Sequence, residues 1–346
     1  MLGVALVMLA SACGGTRSRP HSGVLHVSPN GSDSGDCTSS PCRTFDYAFH
    51  TARPGQTIQV ATGTYTTETI TADHSKLGTR RVLFEPAPGA AVTVDDLDVF
   101  GSHLEFRNMR LGWKAERGAD HITFRNVSSS MLFIWSATNV RVLGGELYPG
   151  SHYLDGCTQR HNTCDYDSGI TNAEGGPPPR NILFDRVFFH GWLRPRGTDF
   201  HTECLQVGSG IDVTIENSRF SQCATHDIFI RSWGTGFDLR NWTIRNNVFA
   251  ATHDGYFSVN VADTTGAVYD NIVVRNNTAL QDFGSDVRTG TIRFIANIQP
   301  DMSRFKCGYA PAATWDYNVY LSGTPCGPHD RVGKPAALRR AAGARP

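Results

Sequence analysis

Short segments with an apolar residue on either side of a middle residue recur along the chain. They are Leu104-Glu105-Phe106, Ile122-Thr123-Phe124, Val140-Arg141-Val142, Ile182-Leu183-Phe184, Val213-Thr214-Ile215, Trp242-Thr243-Ile244, Ile272-Val273-Val274 and Ile292-Arg293-Phe294. Their first residues are separated by 18, 18, 42, 31, 29, 30 and 20 positions. A period of two predicts strands with one face inward and one outward. Asparagine or aspartate often follows, as at Asn108, Asn126, Asp185, Asn217, Asn246 and Asn276. These side chains tolerate left-handed backbone and suit sharp turns. No helical period of useful length lies between the strands, which disfavours a doubly wound α/β fold, since that needs crossover helices. The spacing is too short and uneven for propeller blades. Stacked coils remain. Each would add one rung, inward Val, Ile, Leu and Phe would form a continuous core, and loops of unequal length would leave one side.

The N-terminal part reads as the start of such a column. Val24-Leu25-His26-Val27 predicts a strand, and Ser28 to Pro41 is rich in turn residues. Arg43 to Ala52 places Phe45, Ala48, Phe49 and Ala52 on one helical face, and Pro54-Gly55 stops it. Ile58-Gln59-Val60 and Gly63-Thr64-Tyr65 then open the first coil. The stretch VSPNGSDSG…PCRTFDYAFHTARPGQTIQVATGTY resembles the N-terminal signature of pectate-lyase-like β-helix proteins, and the resemblance covers about residues 24 to 325. It implies an all-β fold: a single-stranded right-handed parallel β-helix, or β-solenoid, with an N-terminal helical cap. Trp315 to Tyr320 resembles a last rung of the same superfamily. The expected domain is 24–330, followed by a disordered tail at 331–346.

Residues 2–12 are apolar and small, too short to span a bilayer, and predict a signal peptide over 1–12. Leu9-Ala10-Ser11-Ala12-Cys13 resembles a bacterial lipobox, which implies lipidation at Cys13 and a flexible tether over 13–23. An exported protein, held at the cell envelope or secreted, is expected, with membrane contact only through that lipid anchor. Eight further cysteines support the expectation of export, because disulfides form in oxidising compartments. Eight cysteines allow 105 pairings. Pairing nearest neighbours gives Cys37–Cys42, Cys157–Cys164, Cys204–Cys223 and Cys307–Cys326. Arg plus Lys balance Asp plus Glu at 32 each, which argues against nucleic acid as a partner.

Candidate chemistry concentrates between Phe188 and Arg231. The coils there are expected to stack Leu205-Gln206-Val207, Ile228-Phe229-Ile230 and Phe257-Ser258-Val259. The residues leading into those strands are His201-Thr202-Glu203, Thr225-His226-Asp227 and Thr252-His253-Asp254. Stacking would align His, Glu and Asp from three coils along one edge. Glycoside hydrolysis needs two carboxyl groups about 5–5.5 Å or about 6.5–9.5 Å apart, a separation that one or two rungs supply. β-Elimination from a uronic acid needs a cation and a base. Thr202-Glu203-Cys204-Leu205 and Thr225-His226-Asp227-Ile228 resemble the catalytic strands of polygalacturonase-like hydrolases. That resemblance implies Glu203 as the acid and His226 as a supporting residue, although Thr202 and Asp227 stand where that family has Asp and Gly.

The candidate catalytic residues are therefore Glu203, His201, His226 and Asp227. Arg194, Arg196, Arg231, His253, Asp254, Trp192 and Trp233 are candidates for substrate binding. Trp135 and Tyr148 are further aromatics that would stack on sugar. Polar ladders at solenoid corners also arise for purely structural reasons, and tryptophan is common in cores. The 142–182 insertion carries Asp165 and Asp167, which would take Ca²⁺ as hard oxygen ligands; nothing in the sequence requires a cofactor. The expected partner is a polysaccharide and the expected state a monomer. Two functions stay open. One is an envelope enzyme that cleaves polysaccharide by hydrolysis or elimination. The other is a non-catalytic module that binds glycan or protein; beside both stands a purely structural spacer, which needs no groove.

Overall fold

The computed structural model describes residues 23–76, 78–150, 168–193, 202–250, 257–301 and 309–333. Its 27 strands join into one parallel sheet wound as a β-helix. The eight apolar segments stack in the register that the pattern predicts. Leu104 lies opposite Ile122, Ile122 opposite Val140, and Val140 opposite Ile182. Ile182 then meets Val213, Val213 meets Trp242, Trp242 meets Ile272, and Ile272 meets Ile292. Unequal steps along the chain thus produce equal steps along the column.

Each coil turns through up to three faces. The first carries the apolar segments just named. The second follows a tight turn, as at Phe188–His190 and Arg219–Ser221. The third holds Ser168–Thr171, Leu205–Val207, Ile228–Arg231 and Val259–Ala262. The 16-residue strand Asp120–Trp135 bends through all three. Between the first and second faces, Asn108, Asn126, Asn217, Asn246 and Asn276 take left-handed φ of 50–57°. At Asp185 the left-handed residue is instead its neighbour Arg186, φ 57°.

The interior is a continuous apolar column. Rings stack along it from Phe84 to Phe106 to Phe124, with centroids 5.2 and 5.3 Å apart. The only helix among the described residues, Phe45–Thr51, adds Phe45 to this file, stacked 5.1 Å from Phe84. Its N-cap is Thr44, whose side chain accepts from the Tyr47 N–H. Beyond this seven-residue helix no distinct helical cap is evident.

The carboxylate of Glu68 is buried beside the helix start and accepts the Phe45 N–H at 2.9 Å. Burial, reinforced by the charges of Asp33 and Asp46, pushes this carboxyl up to about 7. Two disulfides, Cys37–Cys42 and Cys204–Cys223, match the expected pairs. Cys326 is disulfide-bonded, whereas Cys307 and the pair Cys157–Cys164 lie outside the described residues. At the C-terminal end Arg331 and Val332, expected in the tail, pair as a strand with Val319 and Tyr320.

Candidate functional site

The outer surface of the third face holds the site. Its outward positions form a file across successive coils: Lys114 opposite Phe133, then Gly169, Gln206, Phe229, Asn260 and Gly284. A second file at the strand ends brings Trp135 opposite Thr171. Val207 continues Ile170 in register, so Gly208 follows beside Thr171. These two files make a groove. In its centre is a pocket of about 600 Å³, lined by Phe133, Trp135, Gly169, Thr171, Asn172, Glu174, Gln206, Gly208 and Trp233 among others.

The pocket exists because its floor is glycine. A Cβ at Gly169 would stand 3.2 Å from the Phe133 ring. A Cβ at Gly208 would stand 2.6 Å from Thr171 Oγ1 and 3.0 Å from the Trp233 indole. Trp233 is 55% exposed and leans over this floor. Phe133 and Trp135, two residues apart on one strand, point to the same side with ring centroids 5.1 Å apart. Asn172 is fixed by accepting from Ser209 Oγ and donating to the Gly236 carbonyl. Three aromatic rings over a glycine floor, with amides at the edge, suit the flat apolar face and hydroxyl rim of a sugar.

The predicted polar ladder leads into the same strands. In the observed register Leu205 pairs with Ile228, and Ile228 with Val259. The third expected rung is thus displaced by two residues, because Val259 rather than Phe257 takes the inward place. Glu203 then falls opposite His226, and Cys204 opposite Asp227. Ser258, not Asp254, follows Asp227. Glu203, His226 and Asp227 are all buried, at 2%, 3% and 0% exposure. The His226 ring stacks on Phe229 at 4.9 Å, and its Nδ1 lies 3.2 Å from the Phe257 carbonyl.

Asp227 is the unusual member. Neither carboxyl oxygen has a well-formed hydrogen bond. Ser258 is its polar neighbour on the next coil. Complete burial raises its pKa well above the usual carboxylate range, with the nearby Ser258 hydroxyl opposing.

No protein-family model matches the chain. No curated protein matches it in sequence. Solved structures do resemble it. An alginate lyase from Paenibacillus sp. is 15% identical with a TM-score of 0.47, covering 90% of this chain and 98% of the other. PfbA, a surface adhesin of Streptococcus pneumoniae, is 10% identical with a TM-score of 0.45, covering 79% and 74%. A rhamnogalacturonan lyase is 13% identical with a TM-score of 0.41, covering 90% and 87%. At these levels the site must be argued from its own residues.

Several expected residues find clear places. Trp233 borders the pocket and Arg231 is exposed on the neighbouring strand. Trp192 is a correction: it is 1% exposed, belongs to the buried core, and presents no face to a ligand. Tyr148 stacks on His190 with Arg110 over its ring, away from the pocket lining. Arg194, Arg196, His201, His253, Asp254, Asp165, Asp167 and Cys13 lie outside the described residues.

The sequence reading missed Phe133, Gln206 and the two glycines. It also missed Glu116. Ala115 pairs with Ile134, so Glu116 falls in the coil next to Trp135. Burial, followed by the charge of Asp98, raises the Glu116 carboxyl above its ordinary value. The alternation Phe133-Ile134-Trp135 was the available signal for an outward aromatic pair.

Proposed function

We propose that the protein binds a polysaccharide chain along the outer third face, with one sugar ring seated in the pocket between Trp135 and Trp233. The observation that carries this reading is the pocket itself: tryptophan and phenylalanine walls over a floor kept open by Gly169 and Gly208. Stacked coils about 4.8 Å apart offer contacts at a regular repeat, which fits a repeating polymer better than a single small molecule. Glycan-panel retention tests it. Wild-type protein is retained by at least one neutral or acidic polysaccharide, and Trp233→Ala weakens retention at least about tenfold, the 1.4 kcal/mol of a modest contact. Absence of retention across the panel, or retention unchanged in both Trp233→Ala and Trp135→Ala, removes this reading.

Cleavage is a second reading, favoured by the state of Asp227. A buried carboxyl whose pKa is raised above the usual carboxylate range by desolvation is one way a site stores a general acid. Under this reading Glu203, His226 and Asp227 serve hydrolysis or elimination on the chain held in the groove. Release of shortened sugars by wild type, lost in Glu203→Gln while retention persists, supports it. A retained glycan that stays intact over days supports a binding module instead.

A further inference from the structure

Another cluster stands at the turn onto the first face. His103 and His121 occupy the same place in successive coils, each just before the paired Leu104 and Ile122. Both adopt left-handed backbone, with φ of 58° and 56°. The main chain here is pinned. The His103 N–H donates to the Asp120 carbonyl, and the His103 carbonyl accepts from the Val82 N–H, both at 2.9 Å. The two imidazoles consequently stack, 4.9 Å apart and 14° from parallel.

Asp120 completes the group. Its Oδ1 accepts from Thr138 Oγ1 and Asn139 Nδ2, each at 2.6 Å, while Oδ2 lies 2.6 Å from His121 Nδ1. One ligand atom from each of the three residues lies within 4.8 Å of the others. We propose that His103, His121 and Asp120 bind a divalent transition-metal ion, with zinc as the reference, independently of the glycan groove. Two imidazoles and a carboxylate select zinc, cobalt, nickel or copper over calcium or magnesium. Bonds of about 2.0–2.2 Å in tetrahedral geometry put donors about 3.4 Å apart, so closing the triangle takes about 1–1.5 Å of side-chain movement.

The outer partners favour this arrangement. Thr138 and Asn139 hold one oxygen of Asp120, while the other, which meets His121 Nδ1, passes to the ion once the proton between them is released. The side chains of His121 and Asp120 are 45% and 33% exposed, so an ion can reach them and keep water in its remaining positions. Arg81 donates to the His121 carbonyl at 3.4 Å. Its positive charge opposes a cation at the site and lowers affinity. The next coils carry Asn139 and Asn181 at the corresponding left-handed place, joined by an amide hydrogen bond. Imidazole in place of amide is what distinguishes the two histidine coils.

The test is titration of metal-stripped full chain with Zn²⁺ by calorimetry, and with Co²⁺ by its visible absorption. The variant is His103→Asn/His121→Asn, since asparagine keeps the left-handed turn that neighbouring coils already make. Wild type should bind one ion, and the double variant should lose at least about tenfold in affinity. Zinc should also raise the melting temperature of wild type but not of the variant. The chain has 13 histidines, so equal binding by the double variant would place the ion elsewhere and overturn the proposal. Absence of binding by wild type at millimolar Zn²⁺ would overturn it too.

Discussion

Two files of buried polar side chains run along this column, and they differ in how completely they are satisfied. The first lies at the turn between the first and second faces. Asn247, Asn277, Asn297 and Asn318 are 0–1% exposed. The backbone N–H of each of the first three donates to the next Oδ1, at 2.9, 3.1 and 2.9 Å. Their Nδ2 groups donate to the carbonyls of Ile215, Ile244, Val274 and Phe294, all at 2.9 Å. Ser218 feeds the file from one end and Asp330 closes it at the other. The second file leads into the third face through Glu203, His226 and Asp227. There a carboxyl group sits fully buried with no well-formed hydrogen bond.

The difference is one of chemistry, not of depth. A satisfied amide file stabilises the fold, because each buried donor and acceptor has its partner. A carboxyl group without such partners costs stability, which is the cost the proposed cleavage would account for. Depth of burial alone does not separate the two files. The hydrogen-bond inventory does.

Breaking the first file should have the largest effect. Asn277→Ala leaves the Asn247 N–H buried without its acceptor and removes the Nδ2 donor from Asn297 Oδ1 and from the Ile244 carbonyl. A loss of about 3 kcal/mol in unfolding free energy is expected, at about 1–3 kcal/mol per orphaned group, read by urea denaturation. Asp227→Asn should act oppositely, and in a pH-dependent way. The folded pKa of Asp227 is raised, so the native state keeps a proton that the unfolded chain releases. The contribution of Asp227 to wild-type stability is therefore most favourable in acid and falls as pH climbs above the unfolded carboxylate value. The asparagine variant should show a flatter profile and greater stability above neutral pH, measured by melting across pH. A parallel profile for both proteins would mean that Asp227 has found a partner.

Glu68 offers a milder version outside both files. Its folded pKa of about 7 exceeds the ordinary 4.5, so its contribution is favourable below about 4.5 and lost as pH approaches 7. Glu68→Gln retains an acceptor for the Phe45 N–H and should raise the melting temperature at pH 8 but not at pH 4. The smallest change in stability belongs to Trp233→Ala, within about 0.5 kcal/mol, because the residue is largely exposed. Its effect should appear in glycan retention instead, which separates a ligand surface from a structural one.

Much of the column was legible because its physics is periodic. Apolar alternation fixed which residues stack, and turn-forming asparagines showed where the chain bends. The second asparagine of Asn246-Asn247 and Asn276-Asn277 was passed over. The first makes the turn, while the second builds the buried file, and sequence alone does not separate these roles. The pocket was half legible. Trp233 was found, but Trp192 has the same chemistry and lies in the core, since exposure depends on which neighbours cover a ring. Gly169 and Gly208 carry no side-chain signal at all. Their importance arises only when coils 37 residues apart along the chain lie side by side, as the pairing of Gly169 with Gln206 shows. The two-residue displacement at Val259 likewise follows from loop length, which a pattern of apolar residues does not specify.

The amide file also gives the molecule a polarity, with a giving side and a receiving side at every winding. Any winding that supplies one asparagine in that place presents both. A duplicate of residues 248–277 inserted after Asn277 would therefore meet its neighbours with matching ends and lengthen the molecule by about 4.8 Å. Growth by whole windings needs no new chemistry, so the reach of the protein along a surface can be set independently of what its groove holds.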